Sequence, residues 1–134
     1  MFRAALGVVA GLVVIGTCVA VWSILWTLLY WNDDVGVTTM MLTGNLIMGF
    51  VGALLGGLLV AWIAPSRRLG PVLVLALLVL VLGAVEAFAL DGLIDDPKSM
   101  LPKWYNIVMP LVVATGVITG GRLWGRPSVT ASIA

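Results

Sequence analysis

The chain has no histidine and only one cysteine, Cys18. Without histidine, the commonest protein ligand for haem, copper and zinc is missing. A single cysteine excludes an intrachain disulfide and any CxxC redox pair. Charge is scarce too: 10% of the 134 residues are Asp, Glu, Lys or Arg, against about 25% in a typical soluble domain. The net charge of +1 offers no basic tract for nucleic acid. The acidic pairs Asp33-Asp34 and Asp95-Asp96 lack the DxDxDG spacing of a calcium loop. No Gly-rich phosphate loop, H-E-x-x-H element or nucleophile–base pair can be read. No enzyme activity, cofactor or metal site is therefore expected.

What the chain does have is apolar sequence. It is 62% hydrophobic with a mean hydropathy of +1.19, more than a soluble core of this size can hide. The uncharged stretches are Ala4–Leu29, Val35–Ala64, Leu69–Val85 and Trp104–Gly121. Each is close to or above the ~20 residues that cross a ~30 Å hydrocarbon core at about 1.5 Å per residue. The pattern predicts an all-α integral membrane four-helix bundle, one transmembrane domain over 1–134. Its helices are expected at 4–30, 38–64, 70–90 and 104–123, with acidic outer loops at 31–37 and 91–103 and a short polar tail at 124–134. The first run follows Arg3 but exceeds the 7–15 residues of a signal-peptide core, so an uncleaved first helix is expected.

Charge then orients the bundle. Arg3, Arg67, Arg68, Arg122 and Arg126 fall on one side of a four-span arrangement. Asp33, Asp34, Asp91, Asp95, Asp96, Lys98 and Lys103 fall on the other. The positive-inside rule places both termini in the cytoplasm of a bacterial inner membrane. Tyr30, Trp31, Trp62, Trp104, Tyr105 and Trp124 sit near the expected helix ends, the depth that amphipathic rings favour. Pro110 lies inside the fourth helix and is expected to kink it.

Glycine marks the packing. Gly52-Ala53-Leu54-Leu55-Gly56-Gly57 in the second helix matches Gly116-Val117-Ile118-Thr119-Gly120-Gly121 in the fourth, 64 residues later. Both helices run in the same direction, so the motifs lie at one depth. Glycines at i and i+4 let backbones approach closely, and Gly49 extends the stripe. The pair of motifs also suggests two duplicated hairpins, and the contact could lie within one chain or between chains. The third helix, mostly Leu and Val, suits lipid or a partner.

Glu86 is the one charge-capable side chain well inside an apolar stretch. Helix counting sets Asn45, Asn106, Trp22 and Trp26 at similar depth, with Trp22, Trp26 and Tyr30 on one stripe of the first helix. These residues form the candidate buried polar cluster, with indole and amide groups able to donate to the Glu86 carboxylate. The tryptophan stripe is also the place where a lipid, quinone or pigment would touch the chain. Thr115 and Thr119 are expected to bond back to the helix backbone or across to a neighbour.

The Ala61-Trp62-Ile63-Ala64 end of the second helix, Leu101-Pro102-Lys103-Trp104-Tyr105, Pro110, and Gly120-Gly121-Arg122-Leu123 together carry a resemblance. The chain resembles small uncharacterised four-helix proteins of the bacterial inner membrane. The resemblance implies a fold and a topology and brings no functional residue with it. Small multidrug-resistance transporters differ, because they carry a glutamate in the first helix and Ala4–Leu29 has none.

With minimal mass outside the membrane and no catalytic or cofactor ligands, the expected function is a non-catalytic accessory or assembly subunit. Its partners would be the bilayer and other subunits of a larger membrane complex, respiratory or photosynthetic. The alternative is a small oligomeric proton- or cation-coupled transporter or channel that uses Glu86.

Overall fold

In the computed structural model the chain forms α1 (Phe2–Tyr30), α2 (Thr39–Ile63), α3 (Leu69–Ala89) and α4 (Lys103–Leu123). The structure describes residues 2–30, 38–64, 69–89 and 102–124, with the backbone alone at 30 and 87–89. The acidic loops with Asp33, Asp34, Asp91, Asp95 and Asp96, the Arg67-Arg68 turn and the tail beyond Trp124 lie outside the described residues. All four helices are long and apolar enough to cross a membrane, and their ends agree with the expected ones to within two residues. Among the described residues there is no strand.

Local chemistry sets the ends. Thr38 has an extended backbone (φ −95°, ψ 153°), and its hydroxyl oxygen accepts the Met41 N–H at 3.3 Å, an N-cap that satisfies one donor of the first turn. Before α4, the Pro102 carbonyl accepts the Tyr105 N–H at 2.9 Å. Five threonine hydroxyls, on Thr17, Thr27, Thr43, Thr115 and Thr119, donate to the carbonyl four residues back at 2.7–2.8 Å. Of the two expectations for Thr115 and Thr119, the backbone bond is the one formed. Those hydroxyls satisfy themselves locally and hold no helices together.

Small residues hold the helices together. Around the bundle the order is α1–α2–α4–α3, with α3 also meeting α1. The α2–α4 contact is the most extensive and is parallel. Gly49 faces Met109 and Val113, Gly116 faces Phe50 and Ala53, Gly57 faces Val117 and Gly121, and Gly120 faces the Leu54 carbonyl. Residue numbers rise together along both helices, so the motifs meet at one depth as expected, and they meet within a single chain.

The duplication is less simple than the motifs suggest. Gly52 and Gly56 do not face α4. They turn toward α1, where an added β-carbon would lie 2.8 Å from Cys18 Cβ and 2.9 Å from the Gly11 carbonyl oxygen. Their counterparts Gly116 and Gly120 turn toward α2, while Gly121 meets Val72 of α3. Each of α2 and α4 therefore shows its i, i+4 glycines to the helix before it in the ring, and the next glycine to the helix after it. A two-fold axis exchanging the hairpins would instead send Gly121 back to α2.

Toward the basic end (the end of Arg3 and Arg122), Val60, Leu75 and Val117 are 0% exposed and Val72 is 2%. These side chains, with Ile15, Ala53 and Ala76, form one contiguous core drawn from all four helices. The α3 stripe Val72, Leu75, Ala76 and Val79 points inward at helical spacing, while Leu73, Leu77, Val81 and Val85 are exposed. Helix α4 continues through Pro110, whose ring is seated against Gly83 of α3. Proline has no N–H to give the Asn106 carbonyl, and a side chain at 83 would collide with the ring.

Candidate functional site

The polar groups gather near the acidic end, where α1 stops and α2 starts. Asn45 is six residues into α2, about 9 Å from its first residue at 1.5 Å per residue. It is buried at 9% exposure. Its amide hydrogen-bonds the Tyr105 side chain of α4. Because Asn45 Oδ1 has no partner, the amide N–H is the donor and the phenol oxygen the acceptor. Tyr105 is 6% exposed, whereas its sequence neighbour Trp104 is 49% exposed. The two rings meet edge to face at 5.9 Å.

From α1, Trp22 leans over Gly44. A β-carbon there would lie 2.5 Å from Trp22 Cζ2 and 3.1 Å from Nε1. Gly44 therefore makes room for the indole beside Asn45. Trp22 and Trp26 pack at 6.0 Å with a 39° tilt, and Trp26 is buried. Trp22 Nε1 is buried and has no hydrogen-bond partner. Among the described residues, the cluster thus contains one unpaired buried donor and one unpaired buried acceptor.

Glu86 corrects the expected picture. It continues the inward stripe of α3, three residues past Gly83, yet it is exposed. Glu86 acts electrostatically on the Tyr105 phenol without being buried in the cluster. On this side α3 meets α4 where Gly83 packs against Pro110. One turn beyond it, on the same stripe, Glu86 is exposed. The cluster is centred on Asn45 and Tyr105, and Glu86 stands at its mouth.

Of the other expected members, Trp22, Trp26 and Asn45 are brought together. Asn106 is half-buried at the start of α4, one residue past Tyr105. The Tyr30 side chain lies outside the described residues. Tyr105 is the member that sequence reasoning missed, because it reads as an interfacial anchor paired with Trp104. The signal lies in the helical period: Tyr105, Met109, Val113 and Gly116 follow i, i+4, i+8, i+11, the face that meets α2. The packing residues Gly49, Gly52, Ala53, Gly56, Gly57, Gly116, Gly120 and Gly121 are all buried.

Below the cluster, Gly49 takes Met109, and beyond that the Val60–Leu75–Val117 layer is fully buried. Among the described residues, no group of three or more His, Cys, Asp or Glu side chains is placed to hold a metal ion. No protein-family model, curated protein or solved structure matches the chain.

Proposed function

We propose that this chain is a non-catalytic accessory or assembly subunit of a larger membrane complex. The observation that carries this reading is the aliphatic layer of Val60, Val72, Leu75 and Val117, at most 2% exposed. A bundle closed in this way offers a solute no polar path along its axis. What it does offer is surface: the exposed apolar faces of α1 and α3, including Val9, Val13, Leu73 and Leu77, and a carboxylate at the mouth.

A polar intramembrane side chain normally finds a partner, and a neighbouring subunit would supply one for Glu86. In this reading the basic end, with both termini, lies in the cytoplasm of a bacterial inner membrane. Contacts with lipid, quinone or pigment fall along Trp22 and Trp26.

The second reading is an oligomeric proton- or cation-coupled transporter. It is favoured by Glu86, the exposed acid beside the Tyr105 phenol. Its path would run between copies, because the interior of each is closed.

The test is gentle extraction from native membranes through a C-terminal tag, with mass spectrometry of the co-purifying chains. Stoichiometric recovery of other membrane chains is expected. Recovery of this chain alone as a homo-oligomer would overturn the subunit reading. Liposome flux comparing Glu86 with Glu86→Gln would then test the second.

A further inference from the structure

We propose that the polar cluster between α1, α2 and α4 binds a hydroxyl group, with Trp22 Nε1 donating to its oxygen and Asn45 Oδ1 accepting its hydrogen. Both atoms are buried without a protein partner. Asn45 itself is 9% exposed, and Trp22 Nε1 comes within 3.1 Å of the β-carbon position of Gly44, the residue before it. An unmade hydrogen bond is costly where the surroundings cannot replace it, and a bilayer core supplies no bulk water.

The chemistry of the two orphans selects the ligand. Indole N–H is a donor only, and an amide oxygen is an acceptor only. An anion or a carbonyl would satisfy Trp22 and leave Asn45 Oδ1 facing another acceptor. An ammonium group would do the reverse. A hydroxyl accepts and donates through one atom, so a single such group answers both. The Tyr105 phenol is not that hydroxyl, because neither Trp22 Nε1 nor Asn45 Oδ1 has a hydrogen-bond partner in the protein.

Geometry sets the approach. The basic end is closed by Val60, Leu75 and Val117, so the two orphan atoms lie on the acidic side of that layer. Two sources share the chemistry: water, and the free hydroxyl of an amphiphile such as a diacylglycerol in the adjacent leaflet. Gly44 is part of the site, since any side chain there would push the Trp22 ring, and with it Nε1, away from Asn45.

The experiment uses the full chain, indole-¹⁵N labelled, in nanodiscs of phosphatidylcholine with and without dioleoylglycerol. The Trp22 Nε1–H signal is assigned by its loss in Trp22→Phe. The expected result is a nuclear Overhauser contact from this proton to a long-lived water in both preparations, or to glycerol protons only in the doped one. In either case it should vanish in Asn45→Leu and persist in Asn106→Leu. A contact to protein protons alone, or a direct through-bond coupling from Trp22 Nε1–H to the Asn45 amide, would overturn the proposal, because the two groups would then satisfy each other. If Asn45→Leu does not fold, the Asn45 amide signals are followed in Trp22→Phe. They should lose their water or glycerol contact, and an unchanged contact overturns the assignment of Trp22 as donor.

Discussion

A β-carbon on Gly57 would run into the carbonyl oxygen of Val117, with the Gly121 nitrogen of the same helical turn 3.0 Å away. Both obstacles are backbone, so no rotamer change relieves them. Helices α2 and α4 would have to part. Gly57→Ala is therefore expected to destabilise the bundle by about 2 kcal/mol or more, the upper part of the range for overpacking. Gly16 has nothing within 4 Å of its β-carbon position, so Gly16→Ala should stay within about 0.5 kcal/mol of the parent. Denaturant titration of helical content in a fixed micelle compares the two. Equal losses would mean that α2 and α4 do not touch at Gly57.

Gly83 and Pro110 form a second matched pair. Gly83→Ala places a methyl group against the proline ring and should cost about 1–3 kcal/mol. Pro110→Ala also restores a donor for the Asn106 carbonyl. In the double variant most of the Gly83→Ala cost should disappear. A double-mutant cycle reads the coupling, and strict additivity would sink the contact.

The Asn45–Tyr105 bond joins the two central helices where no glycine does. Tyr105→Phe removes the acceptor, leaving the Asn45 amide N–H without its partner. Such bonds in membrane proteins average about 0.6 kcal/mol and reach about 1.7. A loss in that range is expected, and Asn45→Leu should abolish any further effect of Tyr105→Phe. A cycle measured by the same titration checks it, and independent effects would show that the two groups are not bonded.

Glu86 is exposed at the mouth, so the isolated bundle should not depend on it. Glu86→Leu is expected to leave the unfolding midpoint unchanged or slightly higher, within about 0.5 kcal/mol. Co-purification of membrane partners should fall in the same variant. A bundle that loses its fold on Glu86→Leu would mean that the carboxyl is an internal brace.

Much of the site was legible from spacing alone. Asn45, Trp22 and Trp26 could be set at one depth by counting 1.5 Å per residue, because depth along a helix depends only on sequence position. Tyr105 and Glu86 exchanged their expected environments. Each lies close to a helix end, where the period still gives an angle but says nothing of whether a neighbouring helix extends far enough to cover it. At Tyr105, α2 does. At Glu86, past Gly83 and Pro110, none of the described helices does.

The number, length and apolar character of the helices follow from local composition and from the obligation to satisfy every backbone group inside each segment. Local composition also says which surfaces are small enough for close approach. Which helix meets each surface emerges only in the folded bundle. The glycine motif of α2 could have faced α4, α1 or another chain, and its i, i+4 members went to α1 while Gly57 went to α4. Helices that present several small faces can be ringed in more than one order. The order is settled by the sum of close contacts over the whole bundle, which no single stretch of sequence contains.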